Sequence, residues 1–239
     1  YGQFCPVAKT AEVFGDRWSP LIVRELCFGT KTFGEFLQAM PLISRTVLAQ
    51  RLRELAHAGV LRIDPKEKGR GHLYRLTAAG EDFRPLIAMM SQWGQRWGQG
   101  LIGRDDLNPQ LLLWGLRRQI DPADIPSRGL VIRFEFSGIP PASRKLRYWW
   151  LWLRPEDVEV CVRDPGRSVD VAIVADLGVF TRVWMGYAGL RDALASGHIA
   201  LHGSKRSIAD ARRVLRLPGQ PELKNFAFPA SAPLADAGA

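Results

Sequence analysis

The spacing of apolar positions changes character near residue 100. Residues 6–14 (PVAKTAEVF) predict a helix, with Pro6 suited to a first helical position and Gly15 to a stop, and a second helix fits residues 20–28. Thr32 precedes FGEFLQAM with Glu35 three residues on, the spacing of a capping box, and Pro41 follows that helix. LISRTVLAQRLREL, residues 42–55, then places Leu48, Leu52 and Leu55 on one helical face and Thr46, Gln50 and Arg53 on the other. Ser44 caps this helix, which runs to about residue 58 before Gly59. The period falls to two in residues 60–63 and 73–76, two strand arms around a Gly- and Lys-rich turn. A single long helix is expected over 78–98, with Phe83, Leu86, Ile87, Met90, Trp93 and Trp97 in a stripe broad enough for a partner helix.

Beyond Asn108 the rhythm is that of strands: LVIRFEFSG (130–138), RYWWLWLR (147–154), DVEVCVRD (157–164) and SVDVAIVAD (168–176). Helices over 177–185 and 189–195, a strand over 199–202 and a helix over 204–215 complete the pattern, which predicts an α+β domain built on an antiparallel sheet. The expected division is a first domain over 1–100, a second over 107–217, and a flexible Pro- and Ala-rich tail over 218–239.

A chain of 239 residues, 46% hydrophobic and 24% charged, can bury two globular cores, and its formal charge of +9 favours an anionic partner. The surplus of the first hundred residues is concentrated in 44–75. There Arg45, Arg51, Arg53, Arg62, Lys66, Lys68, Arg70 and Arg75 face only Glu54, Asp64 and Glu67, the footprint expected for phosphates. Three widely spaced cysteines, Cys5, Cys27 and Cys161, make neither a disulfide framework nor a CxxC metal site, which fits a reducing cytoplasm. No apolar run approaches the roughly 18 residues of a membrane span, the YWWLWL run is too short, and nothing visible resembles a signal peptide. His198 and His202 are separated by about 13 Å along a strand, too far to share a metal. Phosphate-loop and GxSxG motifs are absent, so neither catalysis nor a cofactor is expected.

Three helices in succession, the last three of the four before the hairpin, then the hairpin with a basic tip and a long helix make the order of a winged helix-turn-helix. The series CPVAKTAEVFGDRWSPLIVREL, FGEFLQAMPLISRTVLAQRLRELAHAGVL and GHLYRLTAAGEDFRPLI resembles the HxlR family of bacterial transcriptional regulators, relatives of the MarR type. The resemblance covers about residues 4–98 and implies a homodimer on double-stranded operator DNA, with repression the family's commoner habit. In a major groove, Arg45 or Arg53 can pair with guanine, Gln50 with adenine, and Ser44 or Thr46 with a phosphate. Arg51, toward the core flank, serves either a phosphate or the fold. Lys66, Lys68, Arg70 and His72 at the hairpin tip suit a minor groove or the backbone. Cys5 stands at the expected N-cap of the first helix with Lys9 one turn on, a setting that favours thiolate, and some family members place a redox- or electrophile-sensing cysteine at this CP position. The competing reading is plain structure, and Cys27 and Cys161 are read as packing.

The second domain resembles the sterol carrier protein type 2 fold through its strand series and DLGVFTRVWMGYAGLRDALASGHIALHGSKRSIADARRVL. That resemblance implies an apolar cavity for a hydrophobic small-molecule effector. Phe134, Trp150, Trp152, Phe180, Trp184 and Leu194 are the candidate lining, each with ordinary core as the alternative. The sequence therefore favours a ligand-responsive DNA-binding regulator. A lipid carrier whose helix-turn-helix only dimerises is the second reading.

Overall fold

The capping signals near the start of the chain place four short helices. A computed structural model describes residues 1–220, and in it α1 (Pro6–Phe14), α2 (Ser19–Cys27), α3 (Phe33–Ala39) and α4 (Arg45–His57) precede the hairpin. The capping box forms as expected: Thr32 Oγ1 accepts from the Glu35 amide at 3.3 Å, and the Thr32 amide donates to Glu35 Oε2 at 2.7 Å. Ser44 Oγ accepts from the Val47 amide at 3.2 Å and fixes the start of α4. Thr32 also belongs to a strand the sequence did not reveal, β1 (Lys31–Thr32). It pairs with β3 (His72–Leu76), whose other neighbour is β2 (Leu61–Pro65), giving a sheet of order β1-β3-β2. Under it lie Ile22, Phe36, Leu48, Leu52 and Leu55, packed against Tyr74 and Leu76 of β3. Each of the α4 leucines is at most 1% exposed, and full burial of such a side chain contributes about 1.5–3 kcal/mol.

The long helix expected over 78–98 is two. α5 (Ala78–Glu81) and α6 (Arg84–Trp97) are separated by Asp82 and Phe83. Pro85, second in α6, has no amide hydrogen and its ring opposes the carbonyl four residues back, so one helix cannot run through. Phe83 turns from the break to stack on Phe14 with ring centroids 4.5 Å apart.

The described chain falls into two units, the first over Tyr1–Trp93 and the second starting at Gly94, earlier than the division near residue 100 expected from the sequence. The last turn of α6 belongs to the second unit because buried Gln95 donates to the Met185 carbonyl. That unit contains a helix the strand rhythm concealed, α7 (Pro109–Gln119), capped by Asn108 Oδ1. Then come β4 (Leu130–Ser137), β5 (Tyr148–Arg154), β6 (Asp157–Cys161), β7 (Val171–Asp176), α8 (Leu177–Trp184), α9 (Leu190–Ala195), β8 (Ile199–Gly203) and α10 (Lys205–Val214). The sheet order is β6-β5-β4-β7-β8.

The architecture is α+β, but the sheet is mixed and not antiparallel as expected, because β4 and β7 run parallel. After the β4-β5-β6 meander, residues 162–170 carry the chain back past β5 and β4, about 14 Å at the usual strand spacing. The chain thus enters β7 alongside β4 in the same direction. Alternation within a strand reports its faces and says nothing of its direction. The expected tail also starts too early: the carbonyls of Pro218 and Gly219 accept from the amides of Leu190 and Arg191 at the start of α9, at 3.0 and 3.2 Å. Residues 221–239 of that tail lie outside the described residues.

The candidate cavity lining is divided by the sheet. Phe134 and Phe180 sit on its inner side, wholly buried, with ring centroids 5.8 Å apart. Trp184 on α8 packs against α7 at Gly115, where a Cβ would lie 2.6 Å from its ring. Trp150 and Trp152 alternate with the buried Trp149, Leu151 and Leu153 and therefore occupy the outer face. Leu194 is 36% exposed on α9. The six do not enclose one space, because the register pairs Phe134 with Trp149 and Arg133 with Trp150, which puts Phe134 on one face and Trp150 and Trp152 on the other.

Candidate nucleic-acid interface

Ser44, Arg45 and Thr46 are exposed at the start of α4, and Gln50 and Arg53 are exposed one and two turns on. The buried leucines on the opposite side of α4 fix which way this face points. Four amides at the N-terminus of a helix lack intrahelical acceptors. Ser44 Oγ takes one of them, at Val47, and keeps its own hydrogen to donate.

Ion pairs sort the eight basic residues of 44–75. Arg51 contacts Asp16 at 2.9 Å and also Glu54, so it ties α4 to the turn after α1. Of its two sequence readings, the structural one has the contacts. Arg62 and Arg75 both reach Asp64, at 3.4 and 2.8 Å, within the hairpin arms. The side chains of Arg45, Arg53, Lys66, Lys68 and Arg70 make no ion pair among the described residues. Those unpaired cations are confined to the outer face of α4 and to the hairpin tip. Gln50 Nε2 donates to Glu54 Oε1 at 2.8 Å, so pairing with adenine requires that exposed bond to open. The tip is closed by Lys66 N donating to the Gly71 carbonyl at 3.2 Å. Gly69 and Gly71 have φ of 84° and 113°, a region open to glycine, and His72 is exposed beside them.

With this geometry in place, residues 13–101 match the HxlR-like helix-turn-helix family. The HTH-type transcriptional regulator YvaP of Bacillus subtilis is 35% identical over 98 residues, 40% of this chain and 90% of that protein. The chain belongs to the HxlR-like helix-turn-helix family. The HTH-type transcriptional regulator Rv3095 of Mycobacterium tuberculosis is 37% identical over 92 residues, and there the match spans 58% of the relative's length and 38% of this chain. A solved structure titled as PA1607, a putative transcription factor, shares 41% identity over 40% of this chain and 67% of its own, with a TM-score of 0.39.

Two further features of this HxlR-like unit bear on a surface partner. Leu42, in the turn just before the Ser44 cap, is 74% exposed. Its signal was an apolar residue one position before a buried one, Ile43, in a turn too short to hide both. Along α6, Leu86, Met89, Met90, Trp93 and Trp97 are exposed at helical spacing.

The cysteines are set apart by their surroundings. Cys5 is half-buried at the N-cap of α1, and Lys9, its expected cation, pairs with Glu12 at 3.0 Å. Burial pushes the Cys27 thiol up to about 11 and raises that of Cys161 as well. No group of three or more metal-binding side chains occurs among the described residues, and no described helix is long and apolar enough to cross a membrane.

Proposed function

We propose that the chain is a homodimeric transcriptional regulator, acting as a repressor, that binds operator DNA through α4 and the β2–β3 hairpin tip. The observation that carries this reading is the segregation of unpaired cations: Arg45 and Arg53 on α4, and Lys66, Lys68 and Arg70 at the tip. The arginines of the same stretch that face other elements are neutralised by Asp16, Glu54 and Asp64. A module used only for dimerisation has no need of that sorting. The α6 stripe, with Met89 65% and Trp93 62% exposed, is the proposed dimer surface. The names of the relatives, HTH-type transcriptional regulators, agree with the reading. The second unit is proposed to be a sterol-carrier-like effector domain, a reading that rests on its strand series and closing helices.

The test is a gel shift of the protein on the DNA upstream of its own gene, at about 50 and about 200 mM salt. Six to ten phosphate contacts predict a loss of affinity on the order of 10³–10⁵ between them. Weak, sequence-indifferent binding with a shallow salt dependence overturns the proposal. Repression is read separately, as increased expression of a reporter under that DNA when the protein is removed.

A further inference from the structure

The outer face of the second sheet holds two buried hydrogen-bond donors with no acceptor. Arg133 on β4 stands directly opposite Trp150 on β5, so the two side chains leave the same face with Cβ atoms about 4.5–5.5 Å apart. Arg133 Nε and Trp150 Nε1 are both sealed from solvent and lack a hydrogen-bond partner among the described residues. Trp150 as a whole is only 9% exposed. A buried donor left unpaired forfeits its hydration with nothing in return, so two in one cross-strand pair call for a common acceptor.

The neighbouring carboxylates are engaged elsewhere. Glu135 accepts from Arg147 at 2.7 Å and from the Tyr148 hydroxyl at 3.4 Å. Asp157 and Glu159 accept from Arg154 at 2.9 and 2.6 Å. Asp170 accepts from the Val131 amide at 2.8 Å and from Arg128 at 3.3 Å. Arg133 is left as a cation with no ion pair among the described residues. In register with it stand Trp150 on one side and Ala172 on the other, with Val131 and Trp152 forming the next pair along. Arg167, from the 162–170 crossover, lies 4.8 Å from the Trp152 ring centroid, so the crossover borders this face.

We propose that this row binds an organic carboxylate with an apolar body. Its carboxylate accepts from the Arg133 guanidinium, whose fork matches two oxygens, and, once the two side chains part to admit it, from the Trp150 indole N–H. Its body rests against Val131 and Ala172, because the Trp152 ring is already covered by Arg154 at 3.9 Å and by Arg167 at 4.8 Å. The site lies across the sheet from Phe134 and Phe180, away from any cavity between sheet and helices. It deepens the effector reading of the second unit, yet its test needs no DNA.

Benzoate and octanoate, one aromatic and one aliphatic, are titrated into the full-length protein while the tryptophan indole N–H signals are followed by nitrogen-15 NMR. The Trp150 signal is identified by its loss in Trp150→Phe. The expected result is a saturable shift of that signal with at least one carboxylate and none with benzamide or with chloride at equal ionic strength. Arg133→Met should weaken binding about tenfold or more, and Arg133→Lys less. A Trp150 signal that stays still, an equal response to benzamide or chloride, or unchanged affinity in folded Arg133→Met overturns the proposal. If Arg133→Met does not fold, the comparison of the four probes on the unaltered protein decides. Operator affinity is measured separately, so a protein that binds DNA but no carboxylate refutes this site alone.

Discussion

Glu54 sits on the exposed outer face of α4, the proposed reading face, and restrains it. It accepts from Gln50 and pairs with Arg51, and it is the only acidic residue of that helix. Replacing it with glutamine removes a negative charge beside the phosphates and loosens Gln50. Exposed pairs of this kind are worth about 0.2–1 kcal/mol, so Glu54→Gln should tighten DNA binding by a few-fold at low salt. Fluorescence anisotropy on the operator measures this, and weaker binding would mean that the outer face of α4 does not meet DNA. Arg53 and Lys68 should separate by kind. Arg53→Ala relaxes sequence preference, with about 1–3 kcal/mol lost at one base pair, while Lys68→Ala weakens all sequences alike. The thiols divide just as sharply. With Cys27 held at about 11 in a fully buried site, its thiolate fraction near pH 8 is on the order of 10⁻³, so an alkylating reagent should modify half-buried Cys5 well before Cys27. Modification of Cys27 first in the native protein would contradict its burial.

At the scale of elements, what was readable in the sequence was local. The Thr32–Glu35 box and the Ser44 cap are complete within four residues, and both form with the expected partners. The strands β4, β5 and β7 alternate visibly because one face of each packs under helices. What stayed hidden depends on distant chain. The parallel β4–β7 pair follows from where the crossover returns, β1 exists only because β3 lies beside it, and the two-sided split of the tryptophans needed the register. Two local signals were present and outweighed: Pro85, which breaks the expected helix, and the Asn108–Pro109 start of α7. At the candidate interface the exposed face of α4 was legible from the leucine spacing, whereas the neutralisation of Arg51 by Asp16 spans thirty-five positions and was not. Gly115 offers a test of the packing between α7 and α8. Its missing Cβ makes room for Trp184, so Gly115→Ala should destabilise the protein by about 1–3 kcal/mol despite alanine's better helix propensity, read from denaturant midpoints. An unchanged or raised midpoint would show that the Trp184 ring can withdraw at little cost.

For the whole molecule, affinity for DNA and self-association should be one property. In the proposed complex a single helix with two arginines and a three-cation tip covers one half-site, and the steep salt dependence proposed above needs the contacts of two copies together. Two copies on one face of the duplex require half-sites about 10 base pairs apart or a multiple of it. The surface available to join them is the α6 stripe, whose methionines and tryptophans leave apolar area in water that a monomer gains nothing by exposing. Met89→Glu together with Trp93→Glu places two carboxylates at that surface without touching α4 or the tip. The double variant should sediment as a monomer at concentrations where the unaltered protein is a dimer. Its affinity for the two-half-site operator should fall to that for an isolated half-site, and the salt slope should halve. The halved slope separates this outcome from general damage, because a misfolded protein loses binding at every salt concentration. If the variant is monomeric and keeps the full operator affinity and slope, one copy supplies all the phosphate contacts, and the proposed geometry of two reading helices is wrong.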